Sequence, residues 1–275
     1  MQWKSRKTLI VLGIVLATAI AMLPTTDRLG DHYVDTAFKR ALVTYALARG
    51  LNGVISVAQG TEVAVQPAGI GVNFTPGEIL DPINDLVERF SWIMMLASSS
   101  LGVQKVLLAM SSWHGLLLVL VLVAGATLGV YLLWDNPKLK RWLTRLFFFL
   151  LLLRFMMPAI AIANDWVYRT FLETDYNSAT VSLETARDSI EGLNQTAMVD
   201  RESEPEGLIS RAKDMYGQVL ESVDIEKRLE DYKQAASTVS ENTIRLVVVF
   251  LMQTLVFPLL FLMISIRFAR RLIRW

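Results

Sequence analysis

The chain has 275 residues, of which 53% are hydrophobic, and a mean hydropathy of +0.41. Its 27 basic and 26 acidic residues leave a net charge of +1. The absence of cysteine excludes a disulfide framework, a thiol nucleophile and a Cys-ligated metal, and two histidines are too few for a multi-His site within one chain.

The apolar residues come in blocks, as a membrane protein's do. A span needs roughly 20 apolar residues to cross ~30 Å of hydrocarbon. The first block, Thr8–Leu23, follows Lys4, Arg6 and Lys7. It reads as a retained anchor over residues 1–25, although Ala19-Ile20-Ala21 also has the small-residue pattern of a signal-peptidase site. Residues 26–114 read as an external α+β domain. In it Val34, Phe38, Ala41, Leu42 and Tyr45 predict an amphipathic helix over 31–49 with Gly50 as its stop. Val54–Val57, Glu62–Val65 and Ile70–Phe74 predict a small three-stranded β meander, with turns at Gln59-Gly60, Pro67-Ala68-Gly69 and Thr75–Glu78. Such a sheet needs a helix or a second chain to cover it. Asp81-Pro82 reads as a cap and first-turn proline opening a further helix. The apolar stretch Phe90–Met110 is left as interfacial, re-entrant or buried in this domain, because a span there would invert everything after it.

Spans two, three and four are then 115–134, 146–163 and 244–266. Lys138, Lys140, Arg141 and Arg145 fill the loop 135–145, and Arg267, Arg270, Arg271 and Arg274 fill the tail 267–275. With four spans these clusters and the N-terminal one share a side. By the positive-inside rule that side is cytoplasmic, with both termini on it. The segment 164–243 falls opposite. From Asp165 to Glu241 it holds seventeen acids against eight bases. Leu172, Tyr176, Ala179, Leu183, Ala186, Ile190, Leu193 and Ala197 are spaced alternately by four and three, a heptad seam. A break near Pro205 and a second seam through Ile225, Leu229, Tyr232, Ala236 and Val239 predict an external antiparallel helical hairpin with arms of ~50 Å. The expected fold class is thus mainly α: a polytopic α-helical membrane protein with four transmembrane helices, the β meander and the hairpin.

Nucleotide, hydrolase and zinc-protease motifs are absent. Asp81, Asn84 and Asp85 read as a capped helix start, and His114 as an interfacial residue beside Trp113. Arg154 stands out, alone near the centre of the third span, ~15 Å from either end. A charge there costs at least ~2.5–3.5 kcal/mol and must face protein or water. Its expected partner is Gln253 on the fourth span. The pair either fixes helix register or, with Arg154 lining a cavity, attracts anions. Pro158 and Pro258 are expected kinks. Gly125 and Gly129 form a G-x-x-x-G face, and Gly13, Ala17 and Ala21 form a second small stripe. Both invite close helix approach, within the chain or to another subunit.

The function expected is that of a non-enzymatic, homo-oligomeric scaffold or pore-type assembly in a bacterial inner membrane. The alternative is a periplasmic-facing sensor or accessory subunit that couples through its hairpin to a separate protein partner. Membrane lipids are expected partners. No cofactor, metal or catalytic residue is implied, and no nucleic acid partner, because the bases are dispersed along membrane boundaries.

Overall fold

The computed structural model describes residues 2–60, 63–65, 72–74, 79–134, 136–202 and 210–274. The described chain is almost entirely helical. Its helices are α1 (Gln2–Ala21), α2 (Thr25–Gln59), α3 (Asp81–Ser111), α4 (His114–Leu133), α5 (Pro137–Val167), α6 (Glu173–Glu202), α7 (Ser210–Leu251) and α8 (Phe257–Arg274). Two π-helical segments interrupt them, Tyr168–Leu172 between α5 and α6 and Met252–Val256 between α7 and α8.

Among the described residues the expected three-stranded β meander is not formed. Val54–Val57 lies inside α2, which also runs straight through Gly50. What remains is a ribbon of Val63–Val65 (β1) antiparallel to Val72–Phe74 (β2), with Val65 opposite Val72. The turns expected at Pro67–Gly69 and Thr75–Glu78, and the break around Pro205, lie outside the described residues. The helix wins over the β-branched run because its burial repeats at helical spacing. Thr44, Ala48, Leu51, Ile55 and Ala58 are all fully buried, each three or four residues after the last.

Five helices are long and apolar enough to cross a membrane: Asp27–Gln59, Asp81–Ser111, His114–Leu133, Pro137–Gln195 and Lys227–Arg267; Thr8–Ala21 is apolar but shorter. This differs from the four-span count, since α2 and α3 also qualify by length and composition. The outward surface fits a hydrocarbon surround. Leu9, Leu12, Leu118, Leu122, Leu132, Phe149 and Ile264 are all exposed, Leu132 by 72%.

The chain divides into two compact units. The first comprises Met1–Arg40, Ser98–Thr170 and Leu251–Trp275. In it α1, α4 and α5 meet around Ile14, Ala21, Leu120, Ala124, Phe147 and Leu150, and α8 packs on α5. The α4–α5 turn is built locally. Asn136 caps α5 by accepting from the backbone N–H of Lys138 and Leu139, and Pro137 takes the first-turn position where its missing N–H costs nothing. Tyr131 and Thr144 hydroxyls join the two helices at 3.4 Å. The start of α2 and the end of α3 also belong here. A Cβ added at Gly30 would lie 3.4 Å from Leu108 and 3.5 Å from Ala161, so α2, α3 and α5 converge at that glycine. Residues 27–40 and 98–111 therefore pack in the same compact unit as α5.

The second unit comprises Ala41–Ala97 and Phe171–Phe250. Its core draws on Leu51, Ile55, Val87, Phe90 and Met94 from α2 and α3, and on Ala179, Leu183, Ile190, Tyr232 and Val239 from α6 and α7. Tyr176 meets Phe250 edge-on with ring centroids 6.0 Å apart, while Tyr232 donates to Asn194 Oδ1 at 3.0 Å. The pairs advance in opposite chain directions, so α6 and α7 are antiparallel. Asn194 in turn donates to the Val54 carbonyl at 3.1 Å, tying α6 to α2.

Candidate intramembrane polar site

Arg154 is 2% exposed on the inner face of α5. Its partner is Asp27, not Gln253. Arg154 Nη1 donates to Asp27 Oδ1 at 2.6 Å and Nη2 to Oδ2 at 2.5 Å, a two-pronged fork between α5 and α2. Asp27 lies in the first turn of α2, where the unpaired backbone N–H groups favour a negative charge. The Phe155 ring centroid stands 5.9 Å from the guanidinium carbon. Pro158 has no N–H to give the Arg154 carbonyl four residues back, so the helix interruption and the charge sit on the same turn.

Spacing along the sequence does not point to Asp27 as the partner of Arg154. A usable signal was present: a lone arginine in an apolar span needs a carboxylate before it needs an amide. Asp27 is the first acid in the chain, four residues past the first apolar block.

Gln253 is 1% exposed and lies in the π segment Met252–Val256. Its Nε2 and Oε1 have no hydrogen-bond partner among the described residues. Pro258 accounts for the local widening. It cannot donate to the Thr254 carbonyl, Phe257 N–H reaches back five residues to Met252, and Ser100 Oγ of α3 stands 3.5 Å from the Thr254 carbonyl. Arg154 and Gln253, expected together, thus serve different helix contacts.

The two small-residue stripes also part company. Ala21 is fully buried and Ala17 packs beside it in the α1–α4–α5 core. Among the described residues, Gly13, Gly125 and Gly129 have nothing within 4 Å of an added Cβ, so they stand open there. Gly115 is the reverse. An added Cβ would come within 2.4 Å of the Trp113 ring, which folds back over the first turn of α4.

Among the remaining singled-out residues, Asp81 accepts from Gln59 Nε2 at 2.5 Å, linking the end of α2 to the start of α3. His32 and His114 are exposed. Among the described residues no group of three or more His, Asp or Glu side chains is placed to hold a metal. Comparisons with protein-family models, curated proteins and solved structures find no match to this chain.

Proposed function

We propose that this is a non-enzymatic integral membrane protein that self-associates into a scaffold through the open glycine face of α4. One observation carries the reading. Gly125 and Gly129 present bare backbone on an apolar helix, and among the described residues no side chain fills the space. A second copy of α4 is the element that fits such a face, because small residues let two backbones approach closely. Four crossings, by α1, α4, α5 and the apolar stretch entering α8, would put the basic clusters at Lys138–Arg145 and Arg267–Arg274 on the cytoplasmic side of a bacterial inner membrane. The scaffold form is favoured over a pore. Arg154 is neutralised within its own chain by Asp27, which removes the reason to place a ring of guanidinium groups around a conduction path. The test is the particle mass in lipid nanodiscs. A discrete multiple of 30.9 kDa supports assembly, and a species that stays at one chain per disc across protein concentrations overturns it.

A second reading, an accessory subunit that binds a periplasmic partner, has an observation of its own. A groove of about 610 Å3 runs between α6 and α7, lined by Ser182, Thr185, Ser189, Asp231, Gln234 and Thr238 over an apolar floor. Recovery of one stoichiometric partner that is lost on Ser189→Arg would favour it.

A further inference from the structure

Where α3 gives way to α4, a groove of about 470 Å3 opens between the end of α3, the first turns of α4 and the middle of α5. Its walls include Met110, Trp113, Leu116, Val119, Met156 and Met157, and the lining is almost wholly apolar. Ser111 brings a hydroxyl to it, but that hydroxyl donates to the Leu108 carbonyl of its own helix at 2.8 Å. The volume is that of a small-molecule site, ~300–1,000 Å3. Water does not suit it, since a bound water needs two to four polar partners. Left empty, the walls would lose their contacts on one side. The mouth says what fills it. Met110, Trp113, Val119 and Leu153 are all exposed, and Val119 adjoins the outward-facing Leu118. The groove therefore opens sideways onto the same apolar surface that fits a hydrocarbon surround. At its α4 end stand Trp113 and the exposed His114, and amphipathic rings of this kind concentrate at headgroup level. Methionine lines it from two helices, and unbranched, polarisable side chains accommodate a guest of changing conformation.

We propose that this groove binds one acyl chain of a membrane phospholipid, which enters beside Trp113 and runs between α4 and α5 toward Leu153. The glycerol and headgroup stay outside, level with Trp113 and His114, so the chain and not the headgroup charge governs binding. A second copy of the protein is the poorer occupant. The walls are long side chains, whereas close helix approach needs small ones. Gly115 is a wall-maker of a different kind, because its missing Cβ is what lets the Trp113 ring fold back to close the α4 end. Gly125 and Gly129 stand on another face of α4, since a helix turns by ~100° per residue, so the lipid site does not depend on self-association.

The test reconstitutes the full-length chain in bilayers of dioleoyl phosphatidylglycerol, exchanges it into detergent and weighs it by native mass spectrometry. The expected spectrum holds an adduct of one lipid per chain that survives further detergent exchange. Dioleoyl phosphatidylcholine should give the same adduct, and free oleate should displace either lipid. Val119→Trp fills the groove from α4 and should cut the retained lipid about tenfold. Met110→Trp should do the same from the α3 wall. Ile264→Trp, on an exposed face of α8, should leave the adduct unchanged. Melting midpoints equal to that of the unmodified chain separate a filled groove from a misfolded one, and the oleate displacement needs no variant at all. No retained adduct in the unmodified chain, an adduct that follows headgroup charge or resists oleate, or one undiminished in both folded tryptophan variants would overturn the proposal. Tryptophan variants that keep the lipid but lose particle mass in nanodiscs would also overturn it, by giving the groove to a neighbouring copy.

Discussion

A guanidinium gripped by both oxygens of one carboxylate is the strongest geometry available to Arg154, and both partners are largely withdrawn from solvent. Desolvating two charges offsets most of the attraction between them, so the pair contributes little net stability against an apolar pair of equal volume. Its worth is in the asymmetry. Asp27→Ala leaves a buried cation with nothing to neutralise it, at a cost of ~3–5 kcal/mol, and Arg154→Ala strands the carboxylate at a similar cost. The double variant Asp27→Leu, Arg154→Met should recover most of that loss. Equilibrium unfolding in mixed micelles checks the cycle. Additive single costs in the double variant would mean the two side chains do not act as a pair. Gln253 makes the opposite case. Its amide has no partner among the described residues, so Gln253→Leu or Gln253→Met should be neutral or stabilising; a loss above ~1 kcal/mol would reveal a bond to something beyond the described residues.

At the scale of elements, what was legible in the sequence was periodicity, and what was not was depth. The α6 seam reads directly, since Tyr176, Ala179, Leu183, Ala186 and Ile190 are all buried. The start of α5 was not legible in the same way: 135–145 reads as a basic loop, and the helix already opens at Pro137. In α2 the same four-three spacing was present through Ala48, Leu51, Ile55 and Ala58, but the β-branched Val54, Ile55 and Val57 and two glycines argued for strands. Intrinsic propensity lost to tertiary burial. The Asp27–Arg154 contact could not be read from spacing at all. It joins residues 127 positions apart, and a one-dimensional pattern carries no information about which helix lies beside which. The α3–α4 junction is a local device of a further kind. No proline stands at Ser112-Trp113, and the chain changes helix where the Trp113 ring covers Gly115. Gly115→Ala should force that ring out and destabilise the junction, because the obstacle is the broad face of an indole attached two residues away. Hydrogen exchange at the first turn of α4 reports it; unchanged protection there would show that the ring swings away at no cost.

For the molecule as a whole, the contrast between the two small-residue stripes separates folding from assembly. Ala21 is spent on the chain's own core, against Leu120, Ala124, Phe147 and Leu150. Gly125 and Gly129 stand open on α4. Leucine at the two places should therefore do different things. Ala21→Leu overfills a closed contact and should lower thermal stability by ~1–3 kcal/mol in the isolated chain. Gly125→Leu with Gly129→Leu adds side chains to open space and removes two helix-weakening glycines, so the single chain should keep or slightly gain stability. What it should lose is close approach by a neighbour. Mass photometry in nanodiscs would then show single chains where the unmodified protein forms multiples, at equal or higher melting temperature. If Gly125→Leu, Gly129→Leu instead melts lower while its particle mass stays the same, the α4 face is closed by this chain and assembly must be sought on another surface.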